Sequence, residues 1–199
     1  MAAIKQTPIV EIAPPGAPAV EAGGWLVAAP VSLPGGLLLA DESHRGKIMI
    51  HGRAGERAVA ALGIEAPAAV GQSARAGDVA VYRLRADQLF VNTAPGGEGE
   101  LLAVLAGADG GDMVTVTDVT HGRAQLRLSG RRAAEVLSRL CALDFHPDQF
   151  PDGAARQTSV AKTTQLVIRD DVAGVLSYAL VGARSLGAYL WTTIQTFKG

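Results

Sequence analysis

Residues 41–52 (DESHRGKIMIHG) and 118–130 (DVTHGRAQLRLSG) are two similar stretches that decide the fold of this chain. Each begins with an aspartate, carries Ser or Thr two positions later and then His, and continues into a run that ends in glycine. A helical pattern follows in both places. The spacing of roughly 78 residues is far too long for a solenoid repeat, so it indicates duplication of a larger unit.

The order of predicted elements is the same in both halves of the chain. Alternating apolar residues mark the strands, and apolar residues three or four apart mark the helices. In the first half we predict a strand at 47–51, a helix at 53–62, a hairpin of 78–84 with 89–93, and a short helix within 96–107. In the second half we predict strands at 113–119 and 124–130, a helix at 131–141, one or two strands at 158–170, a strand at 174–182 and a final helix at 183–197.

This order predicts an α+β fold made of internally duplicated strand-strand-helix-hairpin-helix units. Two antiparallel sheets backed by helices would be related by a pseudo-twofold axis. We expect a single compact domain over 25–199, with repeats at about 25–110 and 112–199. Residues 1–24 are rich in Pro and Ala, which makes a regular helix or strand formed by this segment alone unfavourable. We therefore expect an N-terminal arm that is either extended on a surface or disordered.

The bulk composition excludes several classes of protein. A net charge of −1 and an aromatic content of 5% argue against a dedicated nucleic-acid binder. Cys141 is the one cysteine, so no intrachain disulfide forms and a reducing compartment is expected. The start of the chain lacks the pattern of a signal peptide, and no apolar run approaches the roughly 18–20 residues that span a bilayer. We therefore expect a cytoplasmic protein.

The pair Ser43–His44 raises the question of catalysis. Adjacent residues on a strand point to opposite faces, whereas a nucleophile and its base must lie within hydrogen-bond reach. An Asp-x-Ser/Thr turn, in which the side chains bond local amides, is the better interpretation. The four histidines form no H-x₃-H or H-E-x-x-H pair, so no metal site is predicted. His44 and His121 would approach each other if the pseudo-twofold holds.

Three other motifs favour structural roles. Cys141 and His146 are five residues apart, but the cysteine lies at the apolar end of a predicted helix, where it is expected to be buried. The glycine-rich stretch 94–100 lacks the lysine of a phosphate-binding loop and is typical of a helix start. Arg123, Arg127 and residues 130–132 form a local basic cluster that either binds an anion or is a solvated or partner-contact face.

The second half resembles the gamma subunits of heterotetrameric sarcosine oxidases. This resemblance spans about residues 115–197. The stretch SHRGKIMIHG in the first half resembles, more loosely, the wider folate-binding aminomethyltransferase family. The residues that carry it are Leu128, Gly130, Ala133, Cys141, Leu143, Asp144, His146, Pro147, Phe150, Thr158, Ser159, Val160, Ala161, Arg184, Ser185, Tyr189, Leu190 and Trp191.

The resemblance implies a non-catalytic assembly subunit with alpha, beta and delta partners. In such complexes FAD, FMN, NAD and tetrahydrofolate serve the oxidation of sarcosine to glycine and the transfer of its methyl carbon, and none of these cofactors is expected on this chain. Partner contacts would then involve the family-motif residues Asp144, His146, Pro147, Phe150 and Arg184. The alternative is a free-standing folate-binding, one-carbon transfer protein. Its pocket would be lined by Asp41, His44, Asp118, His121 and Arg123.

Overall fold

The structure is a computed structural model that describes residues 4–11, 18–108 and 113–196. In chain order the strands are β1 (Lys5–Gln6), β2 (Ala19–Ala22), β3 (Trp25–Ala28), β4 (Val31–Leu33), β5 (Leu37–Asp41), β6 (Gly46–His51), β7 (Ser73–Ala76), β8 (Val79–Arg85), β9 (Gln88–Thr93), β10 (Thr115–Asp118), β11 (Arg123–Ser129), β12 (Ala155–Val160), β13 (Thr163–Arg169) and β14 (Ser177–Ala183). The helices are α1 (Gly55–Ala60), α2 (Glu98–Ala106), α3 (Ala133–Ser138) and α4 (Gly187–Gln195), with a 3₁₀ turn at Arg184–Leu186.

The chain divides into two compact units. The first comprises Met1–His44 with Gly122–Gly199, and the second comprises Arg45–His121. These units do not coincide with the two predicted repeats, because β5 of the first repeat pairs with β11 of the second, and β10 of the second repeat pairs with β6 of the first. None of the helices in the described ranges has the length and apolar character needed to cross a membrane.

The second unit is a five-stranded sheet in the order β10-β6-β9-β8-β7, and every pair in it is antiparallel. The core residues of β6, β8 and β9 occupy alternate positions, and Met49, Tyr82 and Phe90 at positions between them are also buried, so both faces of these strands are covered. The core residues at the alternate positions form one core with the helices α1 and α2. The buried members of this core are Ile48, Ile50, Ala58, Val59, Ile64, Val81, Leu89, Val91 and Leu105.

The first unit holds a six-stranded antiparallel sheet in the order β12-β13-β14-β11-β5-β4. Leu126 and Leu128 of β11 are fully buried and lie opposite Leu180 and Tyr178 of β14. The helices α3 and α4 cover this face, to which α4 contributes Leu190, Trp191 and Ile194.

Most of the predicted elements of the two repeats are confirmed. The strands at 47–51, 78–84, 89–93, 124–130 and 174–182 are observed with small shifts of their ends, and 158–170 forms the hairpin of β12 and β13. The helices are shorter than predicted, because α1 begins at Gly55 and α3 ends at Ser138. The start of the final helix is a 3₁₀ turn. The sequence patterns did not predict β3, β4, β5 or β7.

The N-terminal arm contains two short strands, β1 and β2, which flank β3 in a three-stranded sheet. Both strands hydrogen-bond to β3, so their regular structure depends on that partner and not on the sequence of the arm alone. Ile9 is fully buried in the core of the first unit, so this part of the arm is packed against the chain. Residues 1–3 and 12–17 of the arm lie outside the described ranges.

Gly52 and Gly130 end the two corresponding strands β6 and β11 in the same backbone conformation. Their φ angles are 125° and 127°, a region that residues with a Cβ atom rarely adopt. A Cβ atom would collide with the carbonyl oxygen of Met113 at the first position and of Gly36 at the second. Glycine is therefore needed at both positions for backbone freedom and for close packing.

Candidate functional site

The two Asp-x-Ser/Thr stretches form the same local turn, which confirms the structural interpretation of these residues. Asp41 Oδ1 accepts a hydrogen bond from the backbone N–H of Ser43 at 3.0 Å, and Asp118 Oδ1 accepts one from Thr120 N at 2.8 Å. The hydroxyl at the third position then accepts a backbone N–H from the neighbouring strand. Ser43 Oγ bonds Gln125 N at 3.1 Å.

Thr120 makes the equivalent contact in the second unit, because its Oγ1 accepts Lys47 N at 2.9 Å. These polar side chains therefore satisfy backbone donors where a strand has just ended. A hydroxyl used in this way is held as a structural acceptor. The turn geometry explains why Asp, Ser or Thr recur at the same spacing, without any need for nucleophilic chemistry.

Asp41 is buried and its carboxylate is occupied by donors from the chain itself. Only 4% of the residue is exposed. Its Oδ2 accepts from the Thr7 hydroxyl and, at 3.4 Å, from the backbone N–H of Ala28. Thr7 belongs to the N-terminal arm and is fully buried. A carboxylate with three donors of its own chain has little capacity left for an external ligand.

The remaining residues of the predicted ligand pocket are more accessible. His44 and Arg123 are half-buried in the first unit, whereas Asp118 and His121 are exposed in the second. The five residues are thus distributed over both units. A pocket that combines them stays a prediction, and Asp41 is its least available member.

The first unit holds an ion cluster around the buried Arg127, next to the pairing of β5 with β11, that the sequence patterns did not predict. Arg127 on β11 bonds Glu42 Oε1 through Nε at 2.6 Å and Asp170 Oδ2 through Nη2 at 2.8 Å. Its Nη1 also donates to the Asp170 carbonyl at 2.9 Å, and Gln125 Nε2 donates to Glu42 Oε2 at 3.0 Å. Burial alone would lower the pKa of Arg127, but the two carboxylates raise it above its usual value.

The predicted basic cluster around Arg127 therefore holds less free charge than its sequence indicates. Arg127 is neutralised by two acids. Arg132 pairs with Glu135 one turn along α3, with Nε 2.8 Å from Oε2. The carboxylate beside it raises the pKa of Arg132, and the same pair lowers the pKa of Glu135. These contacts do not favour an anion-binding site at Arg127 and Arg132, because carboxylates of the chain itself already pair with both arginines.

The family-motif loop 144–150 is a compact turn that anchors one aromatic side chain. Asp144 Oδ1 accepts from His146 N at 2.9 Å, and the His146 carbonyl accepts from Phe150 N at 2.8 Å. Phe150 is fully buried and stacks on Tyr178 with ring centroids 6.1 Å apart. Asp144, His146 and Pro147 are exposed on the outside of this turn. Their role as partner contacts stays a prediction.

Arg184 and Cys141 also make contacts within the first unit. Arg184 Nη2 donates to the Gln6 carbonyl at 2.9 Å and so holds the N-terminal arm. Cys141 is buried, as predicted, and its Sγ accepts from Leu143 N at 3.3 Å. His146 is largely exposed and its Nδ1 lies 3.5 Å from an Asp148 carboxylate oxygen. The contacts of the cysteine and the histidine are thus separate, which does not support a Cys–His dyad.

Three of the grooves on the surface are lined by residues that the structure describes. One of about 470 Å³ lies beside α1, one of about 490 Å³ lies at the start of α4, and one of about 260 Å³ lies beside the Gly130 turn. None of the three is lined by a member of the predicted ligand pocket. Among the residues that the structure describes, no three His, Cys, Asp or Glu side chains lie close enough together to hold a metal ion.

The fold agrees with comparisons against known proteins. Residues 36–197 match the family of the GCVT N-terminal domain, and the chain belongs to this family. The particular relatives are gamma subunits. The chain is 38% identical over 122 residues to sarcosine oxidase subunit gamma of Arthrobacter sp., and 38% identical over 124 residues to the same subunit of Corynebacterium sp. (strain U-96).

These alignments cover part of each protein. They include 60% of this chain in both cases, and 59% and 58% of the two relatives. The chain thus matches less than two thirds of the length of these curated relatives.

Two solved structures share the fold. A chain of heterotetrameric sarcosine oxidase from Corynebacterium sp. U-96, in complex with pyrrole 2-carboxylate, superposes with a TM-score of 0.73 at 25% identity. That match covers 83% of this chain and 87% of the other. Glycine cleavage system aminomethyltransferase T from Bartonella henselae superposes with a TM-score of 0.76 at 17% identity, covering 96% of this chain and 57% of the other. The second likeness concerns the fold alone.

Proposed function

We propose that this chain is a non-catalytic gamma subunit that assembles into a sarcosine-oxidase-type complex. The observation that carries the proposal is the 38% identity to two curated gamma subunits. The superposition on a chain of a heterotetrameric sarcosine oxidase supports it from the fold. The complex would oxidatively demethylate sarcosine to glycine and pass the one-carbon unit to tetrahydrofolate.

The state of the polar side chains supports an assembly role over a catalytic one. Asp41, Ser43 and Thr120 are used as turn acceptors, and Arg127 is neutralised by two acids. Catalytic groups must instead keep a hydrogen-bonding atom available for the reacting molecule. The alpha, beta and delta subunits would carry the FAD, FMN, NAD and tetrahydrofolate of the complex, in a cytoplasmic heterotetramer.

The same comparison of contacts supports a duplicated origin with a pseudo-twofold axis. Each repeat carries the Asp-x-Ser/Thr turn, then a strand, a glycine at φ near 126°, and a short helix. In each repeat the strand before the turn pairs with the strand after the turn of the other repeat, as β5 does with β11 and β10 with β6. Duplication of one unit, with this strand paired to the other copy, accounts for both observations.

Co-purification tests this proposal. The chain would be co-expressed with the alpha, beta and delta subunits, with a tag on alpha only, and the complex would be separated by size-exclusion chromatography. We expect this chain to elute with the flavin absorbance at equal stoichiometry. A chain that elutes alone, while the other subunits form a flavin-containing complex without it, contradicts the assembly role.

The alternative of a free-standing folate-binding protein is tested with the isolated chain. Titration with tetrahydrofolate under anaerobic conditions would give tight binding, and the variants His44→Ala and Asp118→Ala would lose it. The similarity of fold to aminomethyltransferase T is the reason for this test. The occupied carboxylate of Asp41 argues for the opposite result, which is absence of binding.

A further inference from the structure

The hairpin between β12 and β13 has two non-glycine residues in the left-handed region of backbone conformation. Val160 pairs with Thr163, so the loop consists of Ala161 and Lys162 alone. Their φ angles are 48° and 64°. Two-residue hairpins of this kind favour Asn-Gly, because a Cβ atom is strained at positive φ. The chain thus carries backbone strain at this tip.

The corresponding hairpin of the other repeat avoids this strain. It joins β7 and β8 through Gly77 and Asp78, and the residue at positive φ is Gly77, with φ 55°. The two-residue turn between β7 and β8 therefore has glycine at its positive φ, whereas the turn between β12 and β13 does not. The side chains of Ala161 and Lys162 are present where glycine would be the strain-free choice.

Tertiary contacts hold the strained tip in place. Ala161 N donates to the Leu140 carbonyl at 2.8 Å, which ties the tip to the end of α3. The Tyr189 hydroxyl of α4 donates to the Ala161 carbonyl at 3.1 Å, and Thr163 Oγ1 donates to the Val160 carbonyl at 2.8 Å. Strain persists only where the surroundings over-determine the conformation, as they do here. The tip is consequently a rigid projection with a defined position.

The tip carries an exposed cation, and the aromatic residue that bonds to it, Tyr189, is also exposed. Lys162 is exposed, and its ammonium group makes no hydrogen bond or ion pair with any residue in the described ranges. Tyr189 is 47% exposed although it is a large side chain bonded to the adjacent residue. Tyrosine is enriched among the residues that dominate interface energies, and an unpaired charge at an interface selects a partner of opposite sign.

We propose that the tip formed by Ala161, Lys162 and Tyr189 is a docking surface for an acidic segment of a partner subunit. This inference rests on the proposed function, and it names the part of the chain that would meet the partner. The ammonium group of Lys162 pairs with a partner carboxylate, and the ring of Tyr189 packs beside it. The rigid turn keeps the cation in position before binding, which lowers the entropy cost of the contact.

Competition for assembly tests the docking surface within the complex. Wild-type chain and a differently tagged variant would be co-expressed with the alpha, beta and delta subunits, and their ratio in the purified complex would be measured. We expect Lys162→Glu to be incorporated at least about tenfold less than wild type. Arg85→Glu, which makes the same charge change at an exposed position of β8, is the matched control and should compete equally.

A second variant separates loss of the cation from misfolding and from new repulsion. Ala161→Asn combined with Lys162→Gly restores the favoured turn residues and removes the charge. We expect its Tm to be no lower than that of wild type and its incorporation to fall below that of wild type, although less far than that of Lys162→Glu, which adds repulsion. Equal incorporation of either tip variant with wild type would overturn the inference. If wild type itself does not enter the complex, the proposed function fails and the inference falls with it.

Discussion

Replacing Arg127 by methionine would remove the buried cation that pairs with the half-buried carboxylates of Glu42 and Asp170. Arg127 makes three hydrogen bonds, to the carboxylates of Glu42 and Asp170 and to the Asp170 carbonyl. Removing one partner of a buried ion pair costs about 3–5 kcal/mol, because the remaining charge stays desolvated. Both acid side chains are 19% exposed, so water offsets part of this cost. We therefore expect a loss of about 3 kcal/mol in the free energy of unfolding.

Urea denaturation followed by tryptophan fluorescence measures this loss. Both tryptophans, Trp25 and Trp191, are buried in the first unit, as is Arg127, so their emission reports the unfolding of this unit. A change of about 3 kcal/mol corresponds to a decrease in Tm of roughly 6–12 °C for a chain of this size. The double variant Arg127→Met/Glu42→Gln should recover part of the stability, because one of the two carboxylate charges that Arg127 neutralised is then removed.

A matched control distinguishes the buried cluster from arginine pairs in general. Arg132→Met breaks the exposed pair with Glu135 on α3 and should leave the denaturation midpoint unchanged, since exposed pairs contribute little. The reasoning is refuted if Arg127→Met and Arg132→Met have the same midpoint. It is also refuted if the Arg127 variant loses less than about 1 kcal/mol, because the cluster would then contribute no more than a surface pair.

Three further substitutions test other features of the first unit. The Tyr178 hydroxyl is buried without a hydrogen-bond partner among the described residues, so Tyr178→Phe should be neutral or stabilising by up to about 1 kcal/mol in urea denaturation. Burial also raises the pKa of Tyr178, so wild type should lose stability as pH rises above about 10, where the unfolded tyrosine ionises, and the Phe variant should lose less over the same range. Gly130→Ala should lower the free energy of unfolding by more than about 2 kcal/mol, because φ is 127° and the added Cβ atom would meet a backbone carbonyl. Gly174→Ala is the control, since Gly174 also has a positive φ but lies in open space, and it should cost clearly less. Equal denaturation midpoints for the two variants would contradict this. Thr7→Val should lower the free energy of unfolding by about 1.5–3 kcal/mol, because it removes a hydrogen-bond donor to the buried carboxylate of Asp41. Thr7→Ser keeps the hydroxyl and should retain most of the stability. An equal loss in both variants would assign the effect to packing.

Local patterns were sufficient for the regular elements that have a strong period. The alternation of Leu126 and Leu128 predicts β11, and the glycine after it predicts the end of the strand. The Asp-x-Ser turn was also predictable, because its hydrogen bond joins residues two positions apart. The strand β5 was not predicted: its sequence, LLLAD, is an unbroken apolar run that carries no period.

The candidate pocket shows where such patterns stop being informative. Asp41 was a pocket candidate because it begins the first of the two similar polar stretches, 41–52. Its actual partner, Thr7, is 34 residues away and lies in an arm that was expected to be irregular. The acids that neutralise Arg127 are likewise distant, since Glu42 is separated from it by 85 residues and Asp170 by 43. No local signal marks either pairing.

The sequence by itself determined the strands and helices with a strong period, the two Asp-x-Ser/Thr turns and the burial of Cys141. These features depend on contacts within a few residues, which periodicity and turn chemistry describe directly. The tertiary structure alone decided that β5 pairs with β11 and that β10 pairs with β6. The physical reason is that a strand's apolar face identifies the side that must be covered, but its backbone hydrogen bonds can be satisfied by any neighbouring strand, and that choice depends on the packing of the whole chain.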